Sequence, residues 1–218
     1  MRTIESYIEY TNLKPTITDK DVDKLVGEAK TYNFYGACVP PFWVKRAKRE
    51  IDLADIKLVT VIGFPLGYQM TETKIEEIKK AIETGADELD VVMNISAFKI
   101  NMDWFKIDLA KCSKLIHAFE KTLKVIIETS YLNKIEIERV CKICADIGTD
   151  YVKTSTGFAS EGAKVEDIKI MKSVLPDTVG IKASGGIKTL AQCMEFIEAG
   201  ADRIGTSSGI EIIKSIKR

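Results

Sequence analysis

Short apolar runs alternate along the chain with segments in which apolar positions recur every three or four residues. The runs lie near 7–11, 36–39, 58–64, 88–93, 123–128, 151–155, 180–184 and 203–206. Each has the length and the β-branched content of a strand covered on both faces. Between them the helical period is explicit. Val22, Leu25, Val26 and Ala29 form a stripe behind Thr18, a residue type suited to the N-cap. Ile75, Ile78 and Ile82 form a second stripe, with Thr73 and Glu76 spaced as a capping box. Val140, Cys144 and Ile147 form a third. Three related tripeptides, Gly85-Ala86-Asp87, Gly148-Thr149-Asp150 and Gly200-Ala201-Asp202, each close a helix and precede a strand. Glycine suits the left-handed residue that ends a helix.

This alternation predicts an α/β protein with a parallel sheet. Eight strand–helix units in 218 residues predict a closed (β/α)8 barrel, a TIM barrel, as a single domain over 1–218. The alternative, an open doubly wound sheet, calls for a Gly-rich turn after the first strand. Thr11-Asn12-Leu13-Lys14-Pro15 stands there instead.

Charge narrows the partners. Lys+Arg and Asp+Glu number 32 each, for a net charge of +0, which is not the footprint of a nucleic-acid binder. No apolar stretch approaches the roughly 18 residues that suggest a membrane span. Met1-Arg2-Thr3-Ile4-Glu5 lacks the basic-then-apolar layout of a signal peptide, and five cysteines are an odd number for a disulfide framework. A soluble, reduced, cytoplasmic protein is expected.

Two lysines interrupt apolar strands. Lys153 sits in Tyr151-Val152-Lys153-Thr154-Ser155-Thr156-Gly157, and Lys182 in Gly180-Ile181-Lys182-Ala183-Ser184-Gly185-Gly186. A free lysine, of pKa about 10.4, has only a few neutral molecules in ten thousand at pH 7. Desolvation and a neighbouring ammonium both favour the neutral, nucleophilic amine, so the pair suggests imine chemistry. Alternate strand residues share a face. Asp90, between Leu89 and Val91 on the fourth strand, is therefore expected to meet both lysines inside the barrel near its C-terminal mouth, as a proton shuttle or a structural partner. Gly157, Gly185-Gly186 and Gly205-Thr206-Ser207-Ser208-Gly209 follow the sixth, seventh and eighth strands. Turns and caps use the same residues, but three such loops beside two lysines predict a phosphate site.

Other candidates carry less. A catalytic zinc needs a ligand cluster, and the sole histidine, His117, falls in a helical pattern, so no metal or cofactor is expected. Cys141 and Cys144 form a lone Cys-x-x-Cys within a helix, and Lys45-Arg46-Ala47-Lys48-Arg49 reads as a solvated helix face.

The sequence resembles the deoxyribose-phosphate aldolase family, class I enzymes of deoxynucleoside breakdown. The matching segments are Gly63-Phe64-Pro65-Leu66-Gly67, Thr73-Lys74-Ile75-Glu76, residues Gly85 to Val92, Lys153 to Phe158, Lys182 to Ile187 and Gly205 to Ser208. The resemblance implies a TIM-barrel lyase that cleaves 2-deoxy-D-ribose 5-phosphate reversibly to D-glyceraldehyde 3-phosphate and acetaldehyde. It implies a Schiff base on Lys153, proton transfer and pKa tuning by Lys182, and Asp90 as proton donor and acceptor. It places phosphate on Gly157, Gly185, Gly186, Ser207 and Ser208, with Thr11 and Cys38 lining the pocket, and a homodimer or homotetramer as the assembly. A different Schiff-base aldolase, or a non-catalytic sugar-phosphate-binding barrel, are the alternative readings.

Two departures stand out. The family's first strand commonly reads Asp-His-Thr where this chain has Glu9-Tyr10-Thr11. The chain ends Ile216-Lys217-Arg218, so any proton transfer is expected without the C-terminal tyrosine that some members use.

Overall fold

Three helix–strand junctions are tied by the same local device. The computed structural model describes residues 3–216; the chain ends noted above, Met1-Arg2 and Lys217-Arg218, lie outside the described residues. Among these, eight strands form one closed parallel barrel in chain order. They are β1 (Ile8–Thr11), β2 (Gly36–Val39), β3 (Lys57–Ile62), β4 (Glu88–Val92), β5 (Thr122–Ile126), β6 (Tyr151–Lys153), β7 (Gly180–Ser184) and β8 (Arg203–Thr206). The helices are α1 (Asp19–Thr31), α2 (Val44–Ile51), α3 (Thr71–Glu83), α4 (Ile95–Lys99), α5 (Asp103–Ala118), α6 (Lys134–Asp146), α7 (Val165–Val174), α8 (Leu190–Glu198) and α9 (Gly209–Ile216). Closure leaves no open sheet edge, so the open-sheet alternative is set aside.

The repeated Gly-x-Asp unit does two jobs. Gly85, Gly148 and Gly200 take φ of 111°, 76° and 115°, ending the preceding helices in a conformation that a side chain strains. The aspartate two residues on then accepts a backbone N–H from the neighbouring strand: Asp87 from Leu58 at 3.0 Å, Asp150 from Leu123 at 2.7 Å, and Asp202 from Ile181 at 2.9 Å. Backbone donors at the start of three strands are thereby satisfied.

Thr18 caps α1 in a reciprocal capping box with Asp21. The capping box expected at Thr73 and Glu76 is not formed. Helix α3 begins three residues earlier, after Met70, and is held from across its neighbour: Thr71 donates to Asp108 of α5 at 2.8 Å. Lys74, fully buried, donates to the same carboxylate at 2.8 Å and to the Val92 carbonyl at 3.0 Å. Strands β3 and β6 stop short of the expected ends. Gly63 turns away after β3 with φ 63°, and the backbone after Lys153 turns toward Glu128, which accepts from the Thr156 N–H at 3.1 Å.

The two faces of the barrel wall differ. Ile8, Val39, Leu58, Leu89, Val91, Val125, Val152, Ile181 and Ile204 pack outward against the helices in one large apolar core. Inside, only Cys38, Val59 and Val61 form a small apolar cluster, flanked by Leu13 and Phe64. Elsewhere the inner wall carries the ionisable Glu9, Glu88, Asp90, Lys124, Lys153 and Lys182. His117 lies in the last turn of α5, where its ring bonds Asp150, and Arg46 of the basic α2 face pairs with Asp19 and Asp23. Cys141 and Cys144 are buried free thiols within α6.

Candidate active site

Register brings the chemistry together. Parallel pairing sets Lys153 opposite Lys182, and Asp90 opposite Lys124. These four residues point into the barrel. Lys153 Nζ and Lys182 Nζ each lie 2.8 Å from the same oxygen, Asp90 Oδ2. Lys124 Nζ approaches the other oxygen, Oδ1, at 3.1 Å. Lys182 also bonds Glu9 Oε2, and Lys124 pairs with Glu88 and lies 3.5 Å from Glu9 Oε1. Every member is at most 3% exposed at its side chain. Two lysines and one acid were expected; the barrel holds three of each.

Opposite charges side by side offset the cost of burying them. Burial works to raise Asp90, but Lys124, Lys153 and Lys182 outweigh it and hold its carboxyl well below the ordinary aspartate value. Burial likewise opposes the charge on Lys124, and Asp90, Glu9 and Glu88 overcome it, leaving the pKa well above that of free lysine. Lys182 is raised by Asp90 and Glu9 against the same penalty. The contacts are unequal. Lys124 faces three carboxylates and Lys182 two, whereas Lys153 touches only Asp90, which the other two ammonium groups share.

Above the network opens a cavity of about 340 Å³, and Lys153 is the one of the three lysines that lines it. Thr11, Gly157, Gly185, Gly186 and Ser207 also line it, together with Lys14 and Lys188. Among the described residues no carboxylate does, so this wall favours an anion.

A model of the DeoC/LacD family of aldolases matches residues 6–215. This chain belongs to that aldolase family. It is similar to the deoxyribose-phosphate aldolase of Thermococcus kodakarensis, 50% identical over 217 residues that cover 98% of this chain and 96% of the relative. A solved aldolase, QR15, superimposes with a TM-score of 0.94 at 40% identity, over 100% of this chain and 97% of its own. The tetrameric deoxyribose phosphate aldolase of Aeropyrum pernix superimposes with a TM-score of 0.91 at 33% identity, covering 98% and 91%.

Not every candidate residue of the aldolase reaches the cavity. Ser208 does not line it; its N–H donates to Thr206 Oγ1 at 2.9 Å at the entry to α9. Cys38 lies in the small apolar cluster on the inner wall, fully buried and outside the cavity lining. Burial pushes its thiol up to about 11 against the pull of Lys182 and Lys153, so at neutral pH it is a packing group. Glu9 is completely buried and reaches Lys182.

Besides Glu88, Lys14 and Lys188, three contributors were not singled out from sequence. Lys124 sits in Leu123-Lys124-Val125-Ile126, the same pattern of a lysine within an apolar strand that marked the other two. Glu128 adopts φ 50°, buried, and its carboxylate accepts from both the N–H and the hydroxyl of Thr156, fixing the loop that carries Gly157. Such a conformation in a non-glycine residue is strained and persists where surrounding contacts hold it.

Gly162 is the third. A Cβ there would lie 2.1 Å from the Gly185 carbonyl oxygen. The adjacent Ala163 N–H donates to the Ser184 and Gly185 carbonyls at 3.1 and 3.2 Å, so two loops of the cavity wall rest on one another backbone to backbone. Gly162→Ala should push them apart and raise KM for a phosphorylated substrate by about tenfold, with a smaller change in kcat, since the displaced atoms bind and do not react. Steady-state kinetics checks this; a parent-like KM would show that the loops close without the contact.

Proposed function

We propose that this chain is a class I aldolase cleaving 2-deoxy-D-ribose 5-phosphate reversibly to D-glyceraldehyde 3-phosphate and acetaldehyde through a Schiff base on Lys153. One observation carries the assignment of the nucleophile. Of the three lysines around Asp90, Lys153 alone lines the cavity, and it has the fewest carboxylate contacts. The carboxylates around Lys182 and Lys124 hold both as ammonium ions, which leaves Lys153 to act as the nucleophile.

The neutral amine adds to the C1 aldehyde of the open-chain sugar, and the carbinolamine loses water to give an iminium ion. Asp90, assisted by the Lys182 ammonium bonded to it, then takes up the proton of the C3 hydroxyl. The C2–C3 bond breaks, its electron pair passes to the iminium nitrogen as an enamine, and C3 becomes the aldehyde of glyceraldehyde 3-phosphate. The proton returns to C2, and water releases acetaldehyde and the free amine. The iminium is itself the electron sink, so the step calls for no metal or cofactor. Phosphate fits the wall of Gly157, Gly185, Gly186 and Ser207, with Lys14 and Lys188 supplying charge. Held there, it orients C3 towards Asp90 with binding energy remote from the reacting bond.

The reading includes a cytoplasmic homodimer or homotetramer. Five free, buried cysteines fit a reducing compartment, and no helix among the described residues is long and apolar enough to cross a membrane. The exposed Ile100, Met102, Trp104 and Ile107 leave apolar surface for a second copy, and the Aeropyrum pernix relative is tetrameric.

Cyanoborohydride reduction in the presence of acetaldehyde, followed by peptide mapping, tests the proposal. The expected adduct is an N-ethyl group on Lys153. An adduct on Lys124 or Lys182, or none, would overturn it.

A further inference from the structure

The ionic network does not end at the catalytic centre. Below Asp90 on β4, two residues nearer the start of the strand and on the same face, Glu88 is also buried. One carboxylate oxygen pairs with Lys124 and the other accepts the Tyr35 hydroxyl. Tyr35 is in turn covered by the Arg203 guanidinium, 3.7 Å from its ring centre, and that cation lies 5.4 Å from the Tyr151 ring. A continuous line of contacts therefore runs from the cavity to the barrel floor: Lys153, Asp90, Lys124, Glu88, Tyr35.

We infer that Glu88, with Tyr35, is a positioning residue that sets how readily the reactive lysine gives up its proton, acting through Lys124 and Asp90. The inference rests on Lys153 being the imine-forming residue. The physical reason is charge. Lys124 is the ion partner of Asp90 Oδ1, and Glu88 draws it towards the floor. With Glu88 ionised, the ammonium of Lys124 is divided among three carboxylates, so Asp90 holds only a share of it. Without that charge, Lys124 turns wholly to Asp90 and Glu9, and the barrel interior carries one more net positive charge.

The charged and titratable groups facing Glu88 come from every side of the barrel. They are Glu9 of β1, Tyr35 before β2, Asp90 of β4, Lys124 of β5, Tyr151 and Lys153 of β6, Lys182 of β7 and Arg203 of β8, while β3 contributes the apolar Val59 and Val61. Burial raises the Glu88 carboxyl, but Lys124 and the Tyr35 hydroxyl outweigh that and keep it below the ordinary glutamate value, so it is anionic at working pH.

A fixed negative charge favours the protonated form of a nearby lysine, so removing it moves the acidic limb of iminium formation downward in pH. Removing the Tyr35 hydroxyl leaves the charge of Glu88 less screened and moves the limb upward. Two strands away across the barrel, roughly 8–10 Å, one unit charge at an effective dielectric constant near 20 shifts a titration by about one pH unit.

The test uses the full-length protein and acetaldehyde alone, measuring the initial rate of cyanoborohydride trapping between pH 5 and pH 9, with the adduct mapped. Glu88→Gln is expected to lower the limb by about one unit, so that trapping on that limb is roughly tenfold faster than in the parent. Tyr35→Phe should raise it by about a few tenths of a unit, and Glu88→Asp, which restores the charge, should stay close to the parent. Parent-like limbs in both Glu88→Gln and Tyr35→Phe, with rates lowered equally at every pH, would reduce the floor to a structural role and overturn the inference. Should Glu88→Gln not fold, the direction of the Tyr35→Phe shift decides. If the parent protein gives no adduct on Lys153, the proposed function fails instead, and the two failures are distinguished.

Discussion

Lys153→Arg should abolish both aldol cleavage and borohydride trapping while leaving the barrel folded. The guanidinium preserves a cation against Asp90, so the balance of three positive and three negative groups survives. It remains protonated at any accessible pH and offers no lone pair for an aldehyde. Loss of the covalent route is expected to lower kcat by at least about 10⁴-fold, the scale seen when a nucleophile is removed from other covalent enzymes. Turnover assays beside thermal melting separate the chemical loss from unfolding. Activity above about one per cent of the parent, in a folded protein, would move the nucleophile elsewhere, with Lys182 the next lysine to examine.

Asp90→Asn divides the reaction differently. Asp90 is fully buried and accepts from Lys124, Lys153 and Lys182 at 3.1, 2.8 and 2.8 Å. The amide keeps one acceptor, but its NH₂ group faces ammonium ions, and two carboxylates are left for three lysines. Breaking a buried ionic cluster in this way costs about 3–5 kcal/mol. Loss of the proton from Lys153 relieves part of that cost. Iminium trapping should therefore persist, whereas cleavage, which needs a base at the C3 hydroxyl, should fall by about 10²–10⁴-fold. Equal loss of trapping and cleavage would show that Asp90 serves to hold the lysines and not to move the proton.

The same variant carries a pH signature. The Asp90 carboxyl is held well below its unfolded value of about 3.9, so its stabilisation is present above that pH and lost as pH falls through the native value. Lys124 is held well above about 10.4, so its contribution is complete below that pH and is lost only as pH rises through the native value. Denaturant titrations should thus show a stability plateau between about pH 4 and pH 10 from these groups, with the acid limb flattened in Asp90→Asn.

Much of the barrel was legible because it is written in local periods. The strands 36–39, 180–184 and 203–206 coincide with the apolar runs, and Thr18 caps its helix as its chemistry suggests. The start of α3 was not legible, since Thr71 is recruited by Asp108, a contact between residues 37 apart that no local rule contains. Lys124 shows a different failure. Its signal was present in the strand pattern, but without a neighbouring glycine loop it stood apart from Lys153 and Lys182.

By itself, the sequence determined eight strand–helix units, a helix-ending glycine at three junctions, and two lysines on strand faces that a parallel barrel turns inward. These follow from backbone geometry and from the separation of polar and apolar positions, both readable over a few residues. The tertiary structure decided the charges. Register and closure placed Glu9, Glu88 and Lys124 around Asp90 and gave each lysine a different number of carboxylates. They also left Lys153 alone among the three at the cavity wall. Electrostatic interaction depends on distance through space, and residues as far apart as Glu9 and Lys182 become neighbours only when the first strand closes against the eighth.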